Sequence, residues 1–156
     1  MGDLLREILT YLINNTSFET VNVWNNQFDY IEDGSSYSFA MPCCFIEVLA
    51  DDTQPIGGKY QGSDLVVNFH IGNDFYNENL METNLQIFKL RDDLIKSIST
   101  FQPSTGSLLN KISEQQDFQH TNVYHYVVSY KMHWIDTTVV PIETFTTPPT
   151  TLIINT

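Results

Sequence analysis

Positive charge is scarce in this chain: seven Lys and Arg stand against nineteen Asp and Glu in 156 residues, a formal charge of −12. Affinity for nucleic acid comes mainly from cationic side chains neutralising phosphates, so the composition argues against a tight DNA or RNA binder. An anionic membrane surface is disfavoured on the same ground. Cysteine is nearly absent, and its two copies, Cys43 and Cys44, are adjacent in an apolar run. Neighbouring strand residues face opposite ways and a vicinal disulfide is strained, so both are expected as free thiols acting as small hydrophobes. No apolar run approaches the ~20 residues that a membrane helix needs. The N-terminus, MGDLLREILTYL, intersperses charge with apolar residues and shows no small-residue cleavage site, so no secretory leader is expected. The overlapping glycosylation triplets in Asn14-Asn15-Thr16-Ser17 then read as a helix-ending turn. Thiols without a leader point to the cytosol, or to assembly there.

What is present is a core. Hydrophobic residues make up 42% of the chain and aromatics 13%, which suits one folded domain of this length. The longest alternating run is NVYHYVVSYKMHWID, from Asn122 to Asp136. It places Tyr124, Tyr126, Val128, Tyr130, Met132 and Trp134 on one face of a strand. Val123, His125, Val127, Ser129, Lys131 and His133 fall on the other. Asp3 can cap a first helix carrying Leu4, Leu5, Ile8, Leu9, Leu12 and Ile13 at helical spacing. Glu19–Trp24 reads as a short strand, and 25–38 as a polar turn region. Cys43–Ala50 is apolar on both faces except Glu47, as a strand inside a sheet should be. Residues 51–63, with a proline and three glycines, have the composition of a long hairpin tip, and Asp64–Gly72 returns as a strand.

A second helix is expected with the stripe Leu80, Ile87, Phe88, Leu94, Ile95 and Ile98, its charged residues largely outward. A less regular strand over 108–118 then pairs with the long one through a turn at Gln119–Thr121. Runs of strands rather than strict strand–helix alternation predict an α+β fold: a mainly antiparallel sheet of about four to six strands with two helices packed on one face. The domain covers 1–136. Residues 137–156 are expected as an extended C-terminal arm, because Pro141, Pro148 and Pro149 prevent a helix or a central strand there.

No catalytic spacing stands out. His125 and His133 share a strand face but lie roughly 26 Å apart at ~3.3 Å per residue, too far to hold one ion. His120 sits at the turn and His70 on another strand, so the histidines read as partly exposed polar positions on a sheet face. No metal, cofactor or catalytic centre is expected. A Gly-x-Ser-x-Gly elbow is missing, and neither cysteine has a basic neighbour to activate it. Gly57-Gly58-Lys59 leads into a strand rather than a helix, which dismisses a phosphate loop. Asp51-Asp52 and Asp92-Asp93 read as solvated faces. Glu47 is either a strand-edge ion-pair partner or a general base perturbed by burial. The aromatic ladder on the long strand could stack bases, but the helices need an apolar face to cover.

The order of elements resembles bacteriophage tail terminator and tail-completion proteins. The likeness is carried by the amphipathic N-terminal helix, the strand pair flanking ADDTQPIGGKYQGSD, the helix NLQIFKLRDDLIKSIS, and the final pair SEQQDFQHTN–VYHYVVSYKMHWID. It covers about residues 1–136, and the long arm looks like a neck-ring variant such as those of short-tailed and crAss-like phages. The resemblance implies a virion protein assembled in host cytoplasm, a head–tail connector subunit joining portal or adaptor to tail. It implies homo-oligomeric rings, roughly six-fold or twelve-fold, through which DNA passes without specific binding, and no membrane. An acidic wall suits such a pore because it repels the phosphate backbone. Subunit contacts are then expected at Gln54, Pro55, Ile56, Lys59 and Tyr60 of the hairpin tip, and at Val140, Ile142, Phe145, Leu152, Ile153 and Ile154 of the arm. The rivals are a non-viral α+β binding adaptor and a small hydrolase or lyase using Glu47 or a histidine.

Overall fold

The alternating run forms the strand that its pattern predicts, and the other elements are arranged around it. The structure is a computed structural model that describes residues 1–32, 39–57, 60–74, 81, 85–120 and 122–136, with residues 32, 56, 57 and 60 described through their backbone only. In chain order the named elements are α1 (Gly2–Asn15), β1 (Thr20–Val23), α2 (Gln27–Glu32), β2 (Cys43–Gly57), β3 (Tyr60–Asp74), α3 (Gln86–Ile98), β4 (Asn110–Asp117) and β5 (Val123–Asp136). The five strands make one mixed sheet in the order β1-β2-β3-β5-β4. Only β1 and β2 run parallel; the remaining neighbours are antiparallel. The class is the expected α+β.

Three local expectations are corrected. Asp3 does not cap α1: Met1 occupies the cap position without a side-chain bond, and Asp3 instead meets Arg6 one turn on, at 3.2 Å. The polar region after β1 contains the short helix α2. It starts where Gln27 bonds back to Val23 O and accepts from Asn25 N–H, after Asn26 takes a φ of 53°. The supposed hairpin tip is mostly strand: β2 runs to Gly57 and β3 starts at Tyr60, with Pro55 opposite Gln61. Pro55 is tolerated because among the described residues no strand pairs with the other side of β2 there and a register irregularity follows, two settings in which a missing N–H costs little.

The helices α1 and α3 cover one face. Leu4, Ile8 and Leu12 from α1 and Ile87, Leu90, Leu94 and Ile98 from α3 pack against Cys44, Ile46, Leu65, Val67, Phe69, Ile71, Val128, Tyr130, Met132 and Trp134. The aromatic ladder is therefore core, and not a stacking platform. Phe88 is the exception to the predicted stripe: it is 42% exposed, and Leu90 takes the inward position. Ile13 is exposed too. Leu80 lies outside the described residues. Arg91 reaches from α3 to β4, donating to both carboxylate oxygens of Glu114 at 2.9 and 2.6 Å. Both cysteines are free and fully buried; burial pushes the Cys43 thiol up to about 12 and the Cys44 thiol well above its ordinary value.

The opposite face carries a second, smaller core of Phe28, Cys43, Phe45 and Val123, with Trp24, Ile31, Phe39 and Met41 packed against it. It is closed by α2 and the residues flanking it. Among the described residues no helix is long and apolar enough to cross a membrane.

Val128 is 0% exposed under the helices, whereas Ser129 lies on the other face, opposite Asn68. Val128→Asp should cost several kcal/mol, because an unpaired charge enters an apolar core, while Ser129→Asp should stay within about 1 kcal/mol. Denaturant melts that show equal losses for the two variants would contradict this orientation.

Candidate histidine and carboxylate centre

The face of β3 and β5 turned away from α1 and α3 should be the wetter one by its sequence. At one end it is dry. His70 on β3 and His125 on β5 are 8% and 1% exposed, not the partly exposed surface positions expected of them. Register explains why they meet: His70 stands opposite Phe45 and Val127, and His125 opposite Gly72 and Asp117. The two rings are thus diagonal neighbours, and His70 Nδ1 lies 3.0 Å from His125 Nε2 in a hydrogen bond.

Aromatic rings seal the pair. Trp24 lies flat on His70, with centroids 4.1 Å apart and planes 2° from parallel, and Phe28 meets His125 in a T-shaped contact with centroids 4.8 Å apart. Gly72 makes room for this cover. A Cβ there would sit 2.5 Å from Phe28 Cζ and 2.8 Å from Cys43 Sγ, so any side chain would displace the ring that closes the site.

Carboxylates stand at both ends of the histidine pair. Glu47 Oε2 is 3.6 Å from His70 Nε2 and accepts from Asn68 Nδ2 at 2.8 Å. Glu47, its side chain 32% exposed, thus stands at the rim of the cluster beside a histidine. Asp117 Oδ2 is 3.1 Å from His125 Nδ1. Neither contact is a formed hydrogen bond, since His70 Nε2 and His125 Nδ1 are both buried without a bonding partner. At 3.1 Å the Asp117 oxygen is near enough but lies off the donor axis of the ring. Burial pulls both histidines below their ordinary value, His125 to about 3, with Glu47 opposing the shift at His70 and the neighbouring His70 adding to it at His125. Both rings are held neutral.

A third imidazole joins from the β4–β5 turn. His120, whose side chain is 6% exposed, lies with its ring centroid 5.2 Å from that of His125, and its Nδ1 is 3.7 Å from Asp29 Oδ1 on α2. Ligand atoms of Asp117, His120 and His125 lie within 4.8 Å of one another. Sequence distance concealed this grouping. A turn at Gln119–Thr121 is centred on His120 and pairs Asp117 with Val123; the observed register pairs Asp117 with His125. The longer loop turns Asp-x-x-His-x-x-x-x-His into one cluster.

The other expected positions are elsewhere. His133 is half exposed and meets Asp64 at 3.1 Å, beside Lys131 and Asp51. Gln54 and Pro55 lie exposed on β2, where Gln54 donates to Asp52. Ile56 and Tyr60 are described only as backbone of β2 and β3, and Lys59, Val140, Ile142, Phe145, Leu152, Ile153 and Ile154 lie outside the described residues. A concavity of about 890 Å³ between the end of α1 and the start of α3 is lined by residues such as Asn14, Ser17 and Asp93, and no histidine is among its lining residues. No family model and no curated protein matches this chain.

Because both rings resist protonation when folded but titrate near 6.5 when unfolded, the unfolded state binds more protons below that value. The stability they contribute is present above pH 6.5 and is lost as pH falls below it, for His125 down to about 3. Between pH 6.5 and 5, denaturant midpoints taken with chelator present should decline by the equivalent of about 1–2 kcal/mol from His125, with His70 adding in the same direction. A flat profile across that window would mean that the folded centre is protonated.

Proposed function

We propose that the chain is a structural subunit of a tailed-phage head–tail junction, which closes into a ring by lending its C-terminal segment to a neighbour. The observation that carries the reading is the uncovered outer edge of β2. Strand β1 pairs only with Cys43–Ile46, and among the described residues no strand lies beside β2 from Glu47 to Gly57. An edge of that length offers a row of free backbone donors and acceptors, which is a template for strand addition.

Two further features support an occupant from a second copy. Where β1 ends, a groove of about 400 Å³ adjoins this edge, lined by Leu5, Val23, Trp24, Ile46 and Val48 among others. At the far end, β5 stops at Asp136 opposite Gln61, at the same end of the sheet as the open stretch of β2, and residues 137–156 follow it in the sequence. Their sequence joins β-branched and apolar residues to three prolines, a composition that suits an added edge strand better than a helix. Head-to-tail contacts of this kind close into rings when the rotation permits. The acidic composition is compatible with a wall that DNA passes without sticking. The reading assigns the chain no reaction, and aromatic rings cover its histidine pair.

Leu49 is 47% exposed on the open stretch of β2, and a lysine on an edge strand discourages pairing. Leu49→Lys should leave stability within about 0.5 kcal/mol and abolish self-association in light scattering. Removal of residues 137–156 should do the same, leaving a folded monomer that no longer enters rings. A wild-type chain that stays monomeric at high concentration and in the presence of portal and tail proteins would favour the adaptor reading instead. A truncated chain that fails to fold would place 137–156 in the domain core.

A further inference from the structure

We infer that Asp117, His120 and His125 form a binding site for one divalent transition-metal ion of the zinc type, independently of whether the chain builds rings. The three residues flank one hairpin turn, with ligand atoms already within 4.8 Å of one another. A tetrahedral ion at about 2.0–2.1 Å from each ligand would hold those atoms about 3.3 Å apart. The remaining closure falls to Asp117, whose side chain is a quarter exposed, and to the turn that carries His120. Two imidazoles with one carboxylate suit zinc and its transition-metal neighbours. Calcium and magnesium would require an oxygen cage.

The second observation is the orphaned nitrogen. His125 Nδ1 is buried without a hydrogen-bond partner, 3.1 Å from Asp117 Oδ2, while Nε2 is engaged by His70. Counting hydrogens along the chain Glu47, His70, His125, Asp117 shows what it lacks. Two neutral rings share one hydrogen between His70 Nδ1 and His125 Nε2, which leaves one hydrogen for the two outer nitrogens. If it sits on His125 Nδ1, the bare His70 Nε2 faces Glu47 lone pair to lone pair. If it sits on His70 Nε2, the bare His125 Nδ1 faces Asp117 in the same way. A metal ion on His125 Nδ1 resolves the conflict. His125 Nε2–H then donates to His70 Nδ1, and His70 Nε2–H points to Glu47, which Asn68 holds in place.

The result is a carboxylate–histidine–histidine relay behind the ion, the arrangement that fixes a ligating imidazole in one tautomer and raises its basicity. Trp24 and Phe28 keep the relay dry. The ion would tie the β4–β5 turn to the second core, where Asp29 of α2 already approaches His120. Such a tie stabilises the folded chain by mass action.

The test is zinc titration of the tag-free, chelator-stripped full-length chain by calorimetry, with thermal melts in parallel. One equivalent should bind and raise the melting temperature. Asp117→Asn, at a quarter-exposed position, and His120→Ala, which removes a side chain from the turn before β5, should keep the zinc-free circular dichroism of wild type and weaken binding by at least tenfold. Glu47→Gln should weaken it by about tenfold, in the range found for residues that support a metal ligand, and His133→Ala should leave it unchanged. Failure of the wild-type chain to bind a stoichiometric equivalent, or wild-type affinity in both Asp117→Asn and His120→Ala, would overturn the site. Undiminished affinity in Glu47→Gln would overturn the relay.

Discussion

The pairing of β3 with β5 is the constraint on which the other elements are assembled. Its register runs without a break from Gln61 opposite Asp136 to Asp74 opposite Val123. An unbroken antiparallel ladder fixes every side chain of both strands to one face, because a slip of one residue would exchange the faces. Leu65, Val67, Phe69 and Ile71 therefore join Val128, Tyr130, Met132 and Trp134 on the side that α1 and α3 cover. The same ladder commits His70 and His125 to the opposite side. Placing them there follows from burying the apolar set, and the short elements near the N-terminus have to accommodate the outcome.

That accommodation gives the domain two cores of different chemistry. The larger is made of aliphatic and aromatic side chains, and burial of apolar area suffices to hold it together. The smaller mixes Phe28, Phe45 and Trp24 with imidazoles and carboxylate edges. Polar groups withdrawn from water are costly unless each finds a partner. The histidine pair satisfies its inner nitrogens and leaves its outer ones exposed to that cost. A domain that tolerates this arrangement is spending stability on a polar assembly where leucines would pack more simply.

Much of the architecture could be read from spacing alone. The period-two run in β5 and the stripe of Leu4, Ile8 and Leu12 in α1 identified strand, helix and inward faces. Those signals are local, and each residue reports its own side. Three features were not local. The extension of β2 and β3 through Pro55 and the glycines depends on which edge of the strand is free, which only the sheet order determines. The short helix α2 is too brief to show a period, and it is held by Trp24 and Phe28 docking on the sheet. The convergence of Asp117, His120 and His125 depends on the length of one turn: two residues of error there move Asp117 from opposite His125 to opposite Val123. Histidines judged pair by pair along the sequence looked too far apart, and for His133 that judgement agrees with its surface position beside Asp64.

Gly72 has a meaning beyond the space it leaves. One small volume above the sheet can hold either a β-carbon on residue 72 or the tip of the Phe28 ring, and not both. The hydrogen atom that glycine carries in place of a side chain is thus what admits α2 to the sheet. When α2 arrives, water leaves the imidazoles; were it kept out, the same strands in the same register would present a hydrated histidine surface. A position with no side chain at all therefore selects between a closed polar interior and an open one, and it does so without touching a proton or a ligand.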